Sequence, residues 1–235
     1  MIFRTLLFHC FSYPWTLLVI LLGVPFSFIS PNYLHNCAIV WAKGCLLLAG
    51  VRVKIQGAEN IPRNRSAVYI ANHRSHFDVL AMYSCLPIQF RWMAKKELFD
   101  IPLFGMAMRR CGYISIDRSN RRKSMQSMLA AAQRIKGGTS VIIFPEGTRA
   151  TERKLLPFKK GGFMIALKAQ VPLVPVAING SLGLLPRGSL LIRPGLIEIT
   201  VLPAIETSDL TSKELDPLMQ EIRTSIANLT EEEQG

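Results

Sequence analysis

The chain of 235 residues has few cysteines and few acidic side chains, and it lacks several common catalytic motifs. Its five cysteines are odd in number and have neither zinc-site nor disulfide-framework spacing, which predicts reduced thiols in a cytosol-like compartment. No G-x-S-x-G stretch is present, so the sequence gives no sign of a serine-hydrolase nucleophile elbow. The 16 acidic residues are outnumbered by 28 basic ones, and the net charge of +12 favours anionic partners.

The basic residues are concentrated in one part of the chain. Between residues 91 and 170 there are 17 basic and five acidic side chains. Nucleic acid is the obvious alternative partner for such a field, but the sequence has no zinc-finger spacing, RNP-like aromatic pattern or basic heptad helix. We therefore expect membrane lipids and a phosphorylated substrate as partners, and no nucleic acid.

The amino-terminal region lacks charge altogether, with no Lys, Arg, Asp or Glu between Arg4 and Lys43. Residues 11–29 are long enough to cross a bilayer core of ~30 Å as a helix, and the apolar pattern breaks at Pro31 before it resumes. Basic residues flank both ends and tend to stay cytoplasmic. We expect residues 1–52 to form a membrane-embedded helical hairpin, with the catalytic domain on the cytoplasmic face. A single spanning helix and a cleaved signal peptide are the alternatives.

The first segment with candidate catalytic residues runs from Asn72 to Asp78. Residues 66–71 are apolar and predict a buried strand, and the stripe after Ser75 predicts a helix. His73 would then end the strand, and Asp78 would lie in the first helical turn. A carboxylate bonded to one ring nitrogen fixes the tautomer of a histidine base. The alternatives are that Asp78 caps the helix, or that His73, His76 and Asp78 bind a metal ion.

The second segment is Phe144-Pro145-Glu146-Gly147-Thr148-Arg149, which follows an apolar run that predicts a strand over residues 140–144. Ligands of open α/β sheets bind beyond the carboxyl ends of the strands. The planar guanidinium of Arg149 suits a phosphate monoester. Glu146 could bind a glycerol hydroxyl or hold the arginine, and the alternative is a Glu146–Arg149 ion pair on a surface turn.

Two further basic residues lie between these segments. Arg118 ends the alternating, strand-like residues 113–118, and Lys95 lies in the basic run that follows Met93. Both are candidates for binding a phosphate, with simple solvation at the surface as the alternative.

Taken in order, these motifs resemble the glycerolipid acyltransferase family. Its H-x4-D block matches at His73 and Asp78, and its F-P-E-G-T-R block matches at residues 144–149. Its lysine region leading to G-x-I-x-I-x-R matches from Lys95 to Arg118, and its proline-containing apolar block resembles residues 171–176. The resemblance covers roughly residues 57–179.

The resemblance implies an O-acyltransferase of phospholipid synthesis. Such an enzyme moves a fatty acyl group from acyl-CoA or acyl carrier protein to the sn-2 hydroxyl of lysophosphatidic acid, forming phosphatidic acid. It needs no cofactor and no metal, and it forms no acyl-enzyme. The roles implied are general base for His73, orientation of that base for Asp78, and substrate binding for Lys95, Arg118, Glu146, Gly147, Thr148 and Arg149. Another lysophospholipid as acceptor, a hydrolase and a non-catalytic anionic-lipid-binding membrane protein are the alternatives.

The carboxyl-terminal part completes the predicted fold. Residues 171–179 and 196–202 read as strands, and Thr211 with Glu214 makes a capping box before an amphipathic helix. With no internal repeat, the sequence predicts a single α/β domain over residues 53–235. Its central sheet would be mostly parallel but mixed, with helices on both faces.

Overall fold

A computed structural model describes residues 2–117, 119–186 and 188–230. Short 3-10 turns at Ala58–Asn60 and Lys96–Asp100 supplement the regular elements. The helices of the described residues are α1 (Ile2–Phe26), α2 (Pro31–Ala49), α3 (Phe77–Cys85), α4 (Phe104–Arg110), α5 (Arg121–Lys136), α6 (Lys160–Ala169) and α7 (Leu215–Ala227). The strands are β1 (Val51–Gln56), β2 (Val68–Ala71), β3 (Phe90–Lys95), β4 (Ile114–Ile116), β5 (Ser140–Ile143), β6 (Leu173–Asn179) and β7 (Gly195–Val201).

The strands form one mixed sheet in the order β1-β7-β6-β2-β5-β3-β4. All neighbouring pairs are parallel except β6 with β7, so β1 and β7 run opposite to the other five strands. Every residue of β2 and β5 is buried, as expected of central parallel strands covered on both faces. The predicted mostly parallel, mixed sheet flanked by helices is confirmed.

Helices cover both faces of this sheet. One apolar core contains buried side chains of α2 and α3, whereas the other contains those of α5, α6 and α7. The central strands contribute to both cores because alternate side chains point to opposite faces. The carboxyl ends of β2, β5, β3 and β4, which are parallel neighbours, therefore lie side by side along one edge.

The amino-terminal segment is a pair of packed helices. Among the helices of the described residues, α1 alone has the length and apolar composition needed to cross a membrane, and most of its side chains are exposed. The chain turns before α2, where the Ser30 hydroxyl accepts the Asn32 N–H and Pro31 occupies the first helical position. Helix α2 ends at Gly50 with φ +68°, and β1 follows, so the predicted boundary at residue 52 falls inside that strand.

Two helix starts differ from the predicted capping positions. Helix α3 begins at Phe77 with His76 as its cap residue, although the Ser75 hydroxyl still accepts the Phe77 N–H at 3.3 Å. The Thr211–Glu214 pair forms, with Thr211 N–H donating to the carboxylate at 2.6 Å, but α7 starts only at Leu215. A start at Leu215 keeps Pro217 within the first turn, where its missing N–H costs no helical hydrogen bond.

Candidate active site

His73 and Asp78 are in direct contact at the carboxyl end of β2. The His73 Nδ1 atom lies 2.9 Å from Asp78 Oδ2, and the imidazole is partly exposed while the carboxylate is fully buried. This contact leaves the Nε2 edge of the ring as the side that can meet a substrate. The tight connection between β2 and α3 brings together two residues only five positions apart.

Asp78 also organises the turn that carries the histidine. Its Oδ2 atom accepts the backbone N–H groups of Arg74 at 2.7 Å and Ser75 at 2.8 Å. The two interpretations of Asp78 are thus combined, because one oxygen binds the backbone before the helix and also the imidazole. The backbone bonds hold the carboxylate in the place where it can orient the imidazole.

Glu146 holds the backbone of His73 from the neighbouring strand end. One carboxylate oxygen accepts the His73 N–H at 2.7 Å, and the other accepts the Leu156 N–H at 2.9 Å. The side chain is buried. Burial raises the pKa of Glu146, an effect that these two hydrogen bonds and the nearby charges of His73 and Arg74 oppose. Its contacts are therefore those of a residue that positions the turn that carries His73.

The face of the His73 ring is covered by an aromatic stack. The imidazole lies parallel to the Phe144 ring, with centroids 3.9 Å apart and an interplanar angle of 8°. On the other side, Phe144 stacks on Trp92 of β3 at 5.2 Å. This arrangement restricts the ring plane of the histidine and places an electron-rich face beside it.

Two further contacts fix the backbone around His73. The buried amide of Asn72 donates to the Ile178 carbonyl at 2.9 Å and accepts the Ile178 N–H at 2.7 Å, which joins the end of β2 to β6. The His73 carbonyl accepts the Ala150 N–H at 2.9 Å. The sequence signal for Asn72 was a polar amide directly after a buried strand, and the role of Phe144 had no separate signal.

The candidate cations lie along the same edge of the sheet. Lys95 is exposed at the end of β3, and Arg149 is half-buried after β5. Burial chiefly, and then the positive charges of Arg149 and His73, lower the pKa of His76, whereas the charge of Asp78 raises it. The predicted Arg118 lies outside the described residues.

The turn between Phe144 and Arg149 has the predicted backbone. Gly147 adopts φ +74°, and its N–H donates to the Phe144 carbonyl at 3.1 Å, while Thr148 is exposed at the tip. Only glycine adopts such a φ without steric cost, so the turn folds back sharply enough to bring Glu146 under His73.

A buried arginine ties this turn to the carboxyl-terminal helix. The guanidinium of Arg74 donates to the Arg153 carbonyl and to the Thr230 hydroxyl, just after α7. Arg223 of α7 donates to the Leu155 carbonyl at 2.9 Å. The loop that follows Arg149 is thus bonded by Arg74 at Arg153 and by Arg223 at Leu155.

The comparisons with known proteins agree with this geometry. A sequence model of the Acyltransferase family matches residues 52–179, which include both motifs and strands β2 to β6. The chain belongs to this acyltransferase family. Among curated relatives, 1-acyl-sn-glycerol-3-phosphate acyltransferase of Limnanthes douglasii is 35% identical over 210 residues, which cover 89% of this chain and 70% of that protein. The alpha form from Homo sapiens is 31% identical over 223 residues, which cover 93% of this chain and 78% of that protein.

A solved structure resembles the acyltransferase over nearly its whole length. The crystal structure of the 1-acyl-sn-glycerophosphate (LPA) acyltransferase PlsC from Thermotoga maritima superposes with a TM-score of 0.81 at 28% identity. The match covers 97% of this chain and 95% of the other, so it includes the amino-terminal helices as well as the sheet. The family and the α/β fold expected from the sequence are confirmed, and the protein is an O-acyltransferase.

The acyltransferase also has a cavity of about 590 Å³ away from the histidine. It lies between the loop after Arg149 and α7, and its walls include Lys154, Phe158 and Met219. None of the predicted site residues that the structure describes lines it, so the chemistry is assigned to the sheet edge. Within the described ranges, no three His, Cys, Asp or Glu side chains are arranged to hold a metal ion.

Proposed function

We propose that the protein transfers a fatty acyl group from an acyl thioester to the free sn-2 hydroxyl of 1-acylglycerol-3-phosphate, forming phosphatidic acid. The observation that carries this proposal is the 2.9 Å contact between His73 Nδ1 and buried Asp78, beside the turn that bears Arg149. The related plant, human and bacterial proteins are named for the same acceptor.

His73 acts as the general base in this proposal. Its Nε2 accepts the proton of the acceptor hydroxyl as that oxygen attacks the thioester carbonyl and forms the new C–O bond. The tetrahedral oxyanion then collapses, the C–S bond breaks, and the imidazolium returns the proton to the departing thiolate. Asp78 keeps Nδ1 protonated throughout and stabilises the transient positive charge on the ring.

The phosphate of the acceptor binds at the neighbouring strand ends. Arg149 and Lys95 follow β5 and β3, the two strands next to β2 on that side. Arg118 follows β4 in sequence and is assigned to the same phosphate from its place in the motif. The turn that bears Arg149 is joined to His73, whose carbonyl accepts the Ala150 N–H, so a phosphate bound by Arg149 lies at a fixed distance from the reacting hydroxyl.

The donor is acyl-CoA or acyl carrier protein, and it reaches the enzyme from the cytoplasmic face. Helices α1 and α2 keep the enzyme at the membrane in which its lipid acceptor resides. With this orientation, a water-soluble donor reaches the exposed edge of the sheet, and no cofactor is required.

The test is an acylation assay with purified protein, two donors and several lysolipids. We expect transfer to 1-acylglycerol-3-phosphate to exceed transfer to lysolipids without a terminal phosphate monoester. His73→Ala should abolish turnover with little effect on acceptor binding, and Arg149→Ala should mainly raise the acceptor KM. His76→Ala is the matched control, since His76 makes no hydrogen bond to Asp78 and should keep most activity.

Three results would contradict the proposal. Near-normal turnover by His73→Ala would show that His73 is not the general base. Release of free fatty acid at the same rate with and without acceptor would identify a hydrolase. Full activity of His73→Ala in cells, together with lipid binding in vitro, would identify a binding protein.

A further inference from the structure

A short apolar turn lies exposed after β3 and runs into the start of α4. In the six residues from Ile101 to Met106, four large side chains are 37–49% exposed, namely Ile101, Leu103, Phe104 and Met106. Single exposed apolar residues are common, whereas four of them together form a patch that solvent does not favour. We call this segment the apolar turn.

The apolar turn is built rigidly. The Gly105 N–H donates to the Ile101 carbonyl at 2.7 Å, and a side chain at Gly105 would collide with the Phe99 carbonyl. The Arg109 guanidinium donates to that same carbonyl, while the Phe99 ring is buried beneath. The exposed side chains are therefore displayed by a fixed scaffold.

Leu103 has an unusual backbone conformation that supports a functional interpretation. Its φ is +59° with ψ −52°, a region that a leucine adopts only at a cost. The side chain held in this way is about half exposed, so the cost is not offset by burial in the core.

The surroundings of the apolar turn indicate what covers it. Helix α4, which begins within the turn, packs against both α1 and α2, and Arg110 at its end lies over the Phe28 ring at 3.8 Å. The turn is thus connected to the exposed apolar surface of the membrane-crossing candidate α1. Exposed basic residues stand on either side of it, with Lys95 before and Arg109 after.

We propose that the apolar turn is a second membrane contact, independent of α1, that enters the headgroup–acyl boundary beside the active-site edge. Asp100, exposed at the start of the turn, stays at headgroup level and limits the depth of insertion. Arg109, whose side chain is exposed after the turn, contacts anionic lipid phosphates. Because β3 belongs to the same row of strand ends as His73, this contact sets the height of the active site above the bilayer.

A fluorescence experiment on the full chain tests the contact directly. An environment-sensitive fluorescent amino acid is placed at position 103 or, as a control, at position 229, where Leu229 is exposed to a similar degree after α7. The proteins are bound to vesicles of phosphatidylcholine and phosphatidylglycerol with brominated acyl chains. We expect a blue shift and quenching at 103, stronger with shallow than with deep bromines, and neither at 229.

Two fluorescence results would overturn the proposal. Emission at 103 that stays typical of water in vesicle-bound protein, as at 229, would show that the turn does not enter the lipid. A blue shift at 103 that depends on protein concentration without vesicles would assign the patch to a second copy of the chain.

A second experiment measures the effect on acylation and rests on the proposed function. The double variant Leu103→Ser/Phe104→Ser should acylate a vesicle-embedded acceptor several-fold more slowly, with unchanged activity in detergent micelles. Leu229→Ser should match the unaltered protein in both. Equal rates in vesicles, or an equal loss in both media, would contradict the contact. Failure of the unaltered protein to acylate any lysolipid would refute the function and leave the fluorescence result standing.

Discussion

At the residue scale, His73 is constrained on four sides. Asp78 fixes ring nitrogen Nδ1, Phe144 covers one ring face, Glu146 holds the backbone N–H, and Ala150 binds the backbone carbonyl. Most of these contacts come from the F-P-E-G-T-R segment and its continuation. In the proposed mechanism that segment therefore serves the base as well as the acceptor, a dual role that the linear motif alone does not reveal.

Replacing Phe144 by leucine tests the ring stack. The leucine keeps an apolar contact but loses the flat face at 3.9 Å, so the imidazole gains freedom to rotate away from its working orientation. We expect kcat to fall roughly 10- to 100-fold with little change in the acceptor KM. Steady-state kinetics of Phe144→Leu check this, with Phe144→Tyr as the control that keeps the stack. A Leu variant with the kcat of the Tyr variant would count against a positioning role.

Glu146 gives a prediction about pH and stability. Because burial raises its pKa above the ordinary 4.5, the native state binds this proton more tightly than the unfolded chain does. The contribution is present below pH 4.5 and is lost as the pH rises through the raised pKa. The free energy of unfolding of the unaltered protein, relative to the non-titrating Glu146→Gln, should therefore decrease over that window and then level off. Denaturant unfolding of both proteins measures it, and an increase with pH would contradict the assignment.

At the element scale, the site depends on strand ends being held in register. The Asn72 side chain makes two hydrogen bonds to the backbone of Ile178, one to its carbonyl and one to its N–H. The residue before His73 is therefore fixed to β6. This link lies where β2 ends and the turn that carries His73 begins.

Asn72→Ala should therefore affect both stability and catalysis. Two backbone groups of Ile178 lose their buried partners, which costs about 1–3 kcal/mol for each group left unsatisfied. We expect a lower denaturation midpoint and a lower kcat. Asn60→Ala is the matched control, since Asn60 donates one hydrogen bond to the Val201 carbonyl at the other side of the sheet. It should lose some stability and keep its kcat, and equal kcat values for both variants would argue against the positioning role.

The elements themselves were largely readable from the sequence, for identifiable reasons. The buried strands β2 and β5 are short apolar runs ended by polar or proline residues, and the His73–Asp78 contact follows from the short connection between β2 and α3. The contact between Glu146 and the His73 backbone was not predictable, because it joins chain segments 73 residues apart through the order of strands in the sheet. The later start of α7 was not predictable from the Thr211–Glu214 capping pair, because that pair forms without starting the helix.

At the scale of the whole molecule, the charge distribution predicts a salt effect. Seventeen of the 28 basic residues lie between residues 91 and 170, which include β4, β5, nearly all of β3 and the turn that bears Arg149. Their field acts over a Debye length of about 10 Å at 0.1 M salt and only about 3 Å at 1 M. We expect the apparent KM for an anionic acceptor in vesicles to rise with salt while kcat at saturation changes little. Kinetics across a salt series check this, and a constant KM would show that the field does not recruit the acceptor.

The position of β1 has a consequence for biosynthesis. Within the described residues this edge strand pairs with β7 alone, and its first residue, Val51, is aligned with Gly195. At ribosomal rates of ~5–20 residues per second, on the order of ten seconds pass between the appearance of these two partners. During that interval α1 and α2 are complete while the strand that joins them to the sheet is still unpaired. The sheet therefore cannot close until synthesis has passed β7, well after both amino-terminal helices are complete.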